Sequence, residues 1–121
     1  MKAVFLDLST VGPGDLSLAC LDTLPLEWEY HDLTGPDQVT GHISDAGIVI
    51  TNKCVLNEEM LAGAPELKYI CSAATGFNHI DIDAAGRRGI TVSNVRNYAT
   101  PSVVQHVYVL ILALSTRLLD Y

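Results

Sequence analysis

The sequence is poor in cations. Its 121 residues include 7 lysines and arginines against 14 aspartates and glutamates, which gives a formal net charge of −7. The only adjacent cationic pair is Arg87-Arg88, so there is no basic cluster. Because nucleic acids and anionic membranes are bound largely through clustered Lys and Arg side chains, we expect neither as a partner.

Patterns typical of disulfide frameworks and metal sites are also absent. The three cysteines, Cys20, Cys54 and Cys71, are an odd number in apolar surroundings without CxxC spacing, which indicates buried, reduced thiols in a cytoplasmic protein. No metal-ligand spacing relates the histidines to one another or to the cysteines, so we expect no bound metal. The histidines are His31, His42, His79 and His106.

The sequence also has no long apolar segment. The longest uninterrupted apolar run, from Val107 to Leu114, is well short of the roughly 20 residues that span a bilayer. Asp7 interrupts the apolar N-terminus, which argues against a signal peptide there. We therefore expect a soluble protein.

Strand and helix patterns alternate along the chain. The composition, 49% apolar and 17% charged, is typical of a packed globule. Several predicted strands are continuous apolar runs, which favours a parallel sheet covered on both faces. The predicted fold is therefore α/β, a flavodoxin-like doubly wound sheet in the order 2-1-3-4-5. Strands are predicted at residues 3–8, 26–31, 47–51, 67–72 and 90–95, and helices at 15–24, 57–64, 81–88 and 101–121, with at most a short helix within 32–42.

The last predicted helix is apolar on every side. Thr100 is its predicted N-cap and Pro101 its first residue, and the middle reads VYVLILAL. Such a helix must be covered all round, and a domain of this size covers one face. We expect another domain or a second copy of the chain to cover the rest, with a homodimer through this helix as the prediction. The alternative is a helix sunk in the core of its own domain.

The segment YICSAATGFNHID, residues 69–81, stands out as a candidate site. Its β-forming start is followed by small residues and Gly76, which leaves the backbone open to a ligand. If Gly76 adopts a positive φ, successive N–H groups turn outward and form an anion-binding nest suited to a carboxylate. The alternative is an ordinary strand-to-helix turn with Asp81 as the helix N-cap.

A second glycine segment resembles a dinucleotide-binding fingerprint only in part. Gly12 and Gly14 follow the first predicted strand, and Asp32 lies near the end of the second. However, Ser17 stands where a third glycine should allow close packing, and Pro13 removes an N–H group. A plain loop is the better prediction.

Three pieces of the chain together resemble a known family. They are ITNK at residues 50–53 with APELK at 64–68, then LKYICSAATGFNHIDIDAAGRRGITVSNV at 67–95, and SVVQHVYVLILAL at 102–114. In this order they are similar to the N-terminal catalytic domain of the NAD-dependent, D-isomer-specific 2-hydroxyacid dehydrogenases. The ATGxNxxD form and Gln105-His106 most resemble the glycerate dehydrogenase, or hydroxypyruvate reductase, branch.

The resemblance implies a two-domain oxidoreductase. Residues 1–100 would form the substrate-binding domain, and residues 101–121 a linker helix toward a Rossmann domain that holds NAD or NADP. The substrate would be a small 2-hydroxy or 2-keto acid of the glycerate, hydroxypyruvate or glyoxylate type.

The resemblance also implies roles for residues of this chain. The backbone of Thr75 and Gly76 would bind the substrate carboxylate, and Thr75 would also lie near the nicotinamide of the cofactor. Ala74 would line the same turn, and Asn52 and Lys53 would face the cleft.

The family's catalytic and dinucleotide-binding residues have no counterpart in this sequence. Its GxGxxG segment and its catalytic arginine, acidic residue and histidine would lie beyond Tyr121, and neither His79 nor His106 replaces them. We therefore expect a truncated enzyme, with no catalytic residue in this chain and no cofactor bound by this chain alone. The alternative is a stand-alone flavodoxin-like binding or regulatory module for a small carboxylic acid or a nucleotide.

Overall fold

A five-stranded parallel sheet forms the centre of the computed structural model, which describes residues 1–12, 14 and 16–118. The strand order is β2-β1-β3-β4-β5, and every neighbouring pair is parallel. This confirms the predicted fold class and strand order. The strands are β1 (Lys2–Phe5), β2 (Glu27–Tyr30), β3 (Ile48–Thr51), β4 (Tyr69–Ser72) and β5 (Thr91–Asn94).

Short helices connect the strands, and one long helix follows the sheet. Two predicted caps are confirmed: Asn57 Oδ1 accepts the amide of Met60 at 2.9 Å, and Asp81 Oδ1 accepts that of Ala84 at 2.9 Å. The described helices are a 3₁₀ turn (Leu8–Thr10), α1 (Ala19–Asp22), α2 (Val39–Ile43), α3 (Glu58–Ala62), α4 (Ile82–Arg87) and α5 (Thr100–Ser115).

The helices at the two ends of the chain are shorter than predicted. The helix predicted over residues 15–24 is confined to Ala19–Asp22, because none of its residues is buried and a short helix without packing is marginal. Asp15 and residues 119–121, which also belonged to predicted helices, lie outside the described residues. Helix α5 ends at Ser115, and its cap position is Ala99, so the prediction of Thr100 as N-cap is wrong by one residue.

The core lies against the three central strands. Val4, Val49 and Ile70 on neighbouring strands are fully buried, and each such side chain contributes about 1.5–3 kcal/mol by leaving water. The helices add a second layer to the same cluster, whose members from α2, α3 and α4 are Val39, Ile43, Leu61, Ala84 and Ala85. This core fixes β1, β3 and β4, and therefore the loops at their carboxyl ends.

Helix α5 adds nothing to this core. Every residue of the helix is exposed except the half-buried Ala113, and Leu112 and Leu114 are 59% and 79% exposed. The alternative of a helix buried in its own domain is therefore wrong. No helix among the described residues is long and apolar enough to cross a membrane.

A stack of two imidazoles joins β2 to α2. The rings of His31 and His42 are parallel, with centroids 3.7 Å apart. Glu29 Oε1 lies 2.8 Å from His31 Nε2, close but not aligned as a hydrogen bond, and Lys2 Nζ lies 2.7 Å from Glu29 Oε2. Burial, and then the neighbouring His31, holds the pKa of His42 below its usual value.

The stack predicts a loss of stability in mild acid. Because the pKa of His42 is lower in the folded chain than the unfolded value of about 6.5, the unfolded chain binds more protons as the pH falls through that value. The free energy of unfolding should therefore be lower at about pH 5 than at about pH 7.5. Urea midpoints at both pH values should differ less in His42→Gln than in the wild type. His106→Gln, on exposed α5, is the control and should behave as the wild type; equal pH dependence in all three proteins would contradict the assignment.

Candidate functional site

Two loops meet at the carboxyl edge of the sheet. One follows β3 (residues 52–54) and the other follows β4 (residues 73–76); because β3 and β4 are parallel neighbours, the loops lie side by side. Together with the start of the next segment they enclose a cleft of about 290 Å³. The cleft is lined by Asn52, Lys53, Ala74, Gly76, Asn78 and His79. Four of the five predicted substrate-binding residues are thus brought together, and Thr75, the fifth, is exposed between two of them.

The backbone of the β4 loop is held by its carbonyl groups. The Ala74 carbonyl accepts the Val95 amide at 3.1 Å, the Thr75 carbonyl accepts Asn94 Nδ2 at 2.7 Å, and the Gly76 carbonyl accepts Ser72 Oγ at 2.9 Å. No acceptor within the described part of the chain pairs with the amides of residues 74–76. This loop therefore offers a run of free N–H groups, the donors that a carboxylate seeks.

Gly76 does not have the conformation that the sequence suggested. Among the described glycines only Gly14 and Gly89 have positive φ, so the prediction of a left-handed Gly76 within an anion nest is wrong. The bonds from Ser72 and Asn94 close the turn without a left-handed residue. A Cβ built on Gly76 would meet no atom within 4 Å. The missing side chain thus leaves open space at Gly76.

The β3 loop is held in the opposite way, by its amides. The carboxylate of Asp7, which is 1% exposed, accepts the N–H groups of Asn52 at 2.9 Å, of Lys53, and of Cys54 at 3.1 Å, together with the Thr51 hydroxyl at 3.2 Å. The donors of this loop are therefore already occupied. A carboxylate ligand finds free backbone donors on the β4 loop instead.

Asn52 lines the cleft as predicted, but its side-chain amide is bonded to a neighbouring turn. Its Nδ2 donates to the backbone oxygen and to Oγ1 of Thr10, at 3.0 and 2.9 Å, and the residue is buried. The side-chain donor is thus committed to the neighbouring turn. Asn52 forms the wall of the cleft and does not present a free N–H group.

Lys53 gives the cleft its positive charge. The side chain is exposed, and none of the ion pairs within residues 1–12, 14 and 16–118 involves its ammonium group. His79, on the same cleft, has a buried Nε2 without a hydrogen-bond partner, and burial lowers the pKa of its imidazole. The imidazole is therefore neutral at neutral pH, so Lys53 is the cation available to a bound anion.

The prediction of buried cysteines is wrong, because Cys20 is exposed and Cys54 and Cys71 are half-buried. The thiol of Cys54, near the cleft, is nevertheless inert. Burial, and then the nearby Asp7 carboxylate, raises the pKa of the Cys54 thiol to about 11, so the thiol stays protonated and is a poor nucleophile. The described residues bring no three His, Cys, Asp or Glu side chains together in a group that could hold a metal ion.

Sequence reasoning missed the three side chains that shape the cleft. Ser72 and Asn94 hold the β4 loop, and Asp7 holds the β3 loop. Asn94, the last residue of β5, acts through its bond to the Thr75 carbonyl. A polar residue that ends a buried strand was the available signal for both Asp7 and Ser72.

A family model decides the identity of the domain. The model described as the catalytic domain of D-isomer specific 2-hydroxyacid dehydrogenases matches residues 13–116. The chain belongs to this family. The predicted family is thereby confirmed.

Individual relatives agree with this assignment. The chain is 36% identical over 114 residues to a hydroxypyruvate reductase of Blautia hydrogenotrophica, covering 93% of this chain and 35% of the relative. It is 36% identical over 121 residues to a glycerate dehydrogenase of Methylorubrum extorquens, covering 99% and 37%. The chain therefore spans little more than a third of the length of these curated relatives.

A solved structure agrees with this family assignment. The D-lactate dehydrogenase of Aquifex aeolicus, complexed with NAD and lactic acid, superimposes with a TM-score of 0.72 at 27% identity. The match covers 97% of this chain and 34% of that one. The chain thus corresponds to about a third of that dehydrogenase.

Proposed function

We propose that the chain is the substrate-binding domain of a nicotinamide-dependent D-2-hydroxyacid dehydrogenase. The observation that carries this proposal is the run of free amides at residues 74–76 beside the ammonium group of Lys53. In this proposal residues 1–100 form the binding domain, and residues 101–121 form a linker toward a Rossmann domain.

The role of the domain is to hold one end of the substrate. The amides of Thr75 and Gly76 donate to the carboxylate of a 2-hydroxy or 2-keto acid, Ala74 lines the turn, and Lys53 supplies the opposite charge. With the carboxylate fixed, the neighbouring carbon is held in one position, which is the main contribution a binding domain makes to a transfer reaction. Asn52 supports the site from the wall of the cleft.

The nicotinamide belongs to the other side of this cleft in the proposed enzyme. When bound, NAD or NADP supplies or accepts the hydride. Thr75, exposed at the rim, is the residue of this chain that we place nearest to it. The described residues fit a carboxylate but not a dinucleotide diphosphate, since the glycines near Gly12 lead into the four-residue helix α1.

The relatives suggest the substrate class. Hydroxypyruvate reductase and glycerate dehydrogenase are the names of two relatives that this chain matches over 93% and 99% of its length. We therefore propose an acid of the glycerate, hydroxypyruvate or glyoxylate type. The free cysteines Cys20, Cys54 and Cys71 suit a reducing compartment, so we place the protein in the cytoplasm.

Gly76→Val tests the acid site. The branched side chain would fill the open space at Gly76 and block the carboxylate, while the absence of neighbours within 4 Å lets the fold survive. Titration of the labelled chain with hydroxypyruvate or glyoxylate, followed by NMR, should show at least a tenfold loss of affinity, equivalent to about 1.4 kcal/mol.

Gly86→Val is the matched control for this experiment. Its Cβ also meets no atom within 4 Å, and it lies on α4, outside the cleft. This variant should bind as the wild type does. Undiminished binding by Gly76→Val would place the acid site elsewhere.

The 121-residue chain alone should neither bind nor oxidise NADH measurably. The reason is that residues 1–12, 14 and 16–118 form no diphosphate cradle and that none of them is assigned to proton transfer. NADH fluorescence titration measures this directly. A micromolar dissociation constant would show that the glycine segment at Gly12 and Gly14 had been wrongly set aside.

We also propose that α5 mediates a homodimer. The helix is about 24 Å long at 1.5 Å per residue, and its large apolar side chains are exposed. Covering each of them stabilises an assembly by about 1.5–3 kcal/mol, so several together offset an association cost of about 4–15 kcal/mol. A two-fold contact between two copies of the helix provides that cover.

Sedimentation equilibrium of a double variant tests the dimer. Val109→Glu with Leu112→Glu places two charges among the exposed apolar side chains and should give monomers where the wild type is dimeric. Ser102→Glu with Gln105→Glu adds the same charge near the polar start of α5 and should leave the dimer intact. A wild-type chain that remains monomeric at high micromolar concentration contradicts the proposal.

A further inference from the structure

The acid binding proposed above assigns no role to the buried carboxylate of Asp7. It follows β1, is 1% exposed, and accepts three consecutive amides of residues 52–54 together with the Thr51 hydroxyl. None of the ion pairs in the described part of the chain gives it a cation. Its charge is stabilised by hydrogen bonds alone.

A second set of bonds clamps the same loop from the side. Thr10 Oγ1 donates to the backbone oxygen of Asp7 at 2.7 Å and accepts Asn52 Nδ2 at 2.9 Å. Cys54 also donates its amide to Thr51 Oγ1 at 3.0 Å. The β3 loop is thus fixed on both sides of Lys53, and the backbone from which the Lys53 side chain extends has little freedom.

The position of this charge is costly for an anion site. Asp7 accepts the backbone amide of Lys53, which lines the cleft, so its charge lies near a carboxylate bound there and repels it. If repulsion were its only effect, removing this charge would strengthen binding. The hydrogen bonds point to a second effect, on the conformation of the β3 loop.

We propose that Asp7 is a positioning residue for the acid site, acting through Lys53. By accepting the amides of residues 52–54, its carboxylate fixes the β3 loop and so holds the Lys53 ammonium at the cleft. Because these amides are occupied, the free backbone amides of the site come from the β4 loop. This inference rests on the proposed function, because it concerns the same site.

The sign of the change in affinity separates positioning from simple repulsion. In Asp7→Asn a negative charge is lost and an amide NH₂ competes with the loop amides, so positioning predicts about tenfold weaker binding of hydroxypyruvate to the labelled chain by NMR. Removal of a repelling charge alone would strengthen binding. Asp83→Asn, at an exposed position of α4, makes the same change in charge outside the cleft and should bind as the wild type. Equal or tighter binding by Asp7→Asn overturns the proposal.

A double-mutant cycle tests whether Asp7 acts through Lys53. Lys53→Met should weaken binding by itself, and adding Asp7→Asn should then change affinity by no more than about twofold, since the side chain being positioned is gone. A role in general stability would reduce binding equally in both backgrounds. An undiminished effect in the Lys53→Met background therefore overturns the proposal.

Two further measurements keep the test decisive. If Asp7→Asn does not fold, Thr51→Val removes one hydroxyl contact to the carboxylate and should weaken binding about threefold; unchanged binding counts against the proposal. Hydrogen exchange of the amides of residues 52–54 should accelerate in either folded variant, and unchanged protection likewise overturns it. A wild-type chain that binds no 2-keto acid would refute the proposed function itself, and the inference with it.

Discussion

The carboxyl edge of the sheet depends on one buried interaction, the acceptance of three consecutive amides by Asp7. A carboxylate is tolerated in a protein interior only when its oxygens are hydrogen-bonded, and here three backbone amides and the Thr51 hydroxyl satisfy them. The bonds connect the residue that follows β1 with the loop that follows β3. They therefore join two adjacent strands at the edge where each strand leaves the sheet. The conformation of residues 52–54 follows from this arrangement.

The two loops of the cleft are complementary because one lacks free donors and the other lacks free acceptors. Asp7 consumes the amides of residues 52–54, whereas Ser72, Asn94 and Val95 consume the carbonyls of residues 74–76. What remains free for a ligand of the cleft is the N–H groups of the β4 loop and the Lys53 ammonium. The proposed anion site is compatible with a net charge of −7, because local dipoles and one cation outweigh the overall field at short range.

Local features of this fold were predictable from the sequence, and long-range ones were not. Apolar runs separated by breakers predicted the strands, and the caps at Asn57 and Asp81 depend on residues only three positions away. The contacts of Asp7 join residues 44–47 positions apart, so a local pattern can mark Asp7 as a polar residue after a strand but cannot identify its partners. The backbone of Gly76 was mispredicted for the same reason, since glycine permits both signs of φ and the bond from distant Asn94 to Thr75 helps to select one.

Helix α5 is not needed to form the buried core of the domain. The buried core residues lie at or before Ile90, so the sheet and its covering helices are complete without α5. The apolar side chains of α5 therefore cannot be explained by the stability of this domain. A two-fold contact covers one face of a helix, whereas this helix is exposed on all sides. Burying all sides of α5 therefore requires a second surface in addition to the dimer contact. In the proposed enzyme, the cofactor domain that follows the linker would supply this surface.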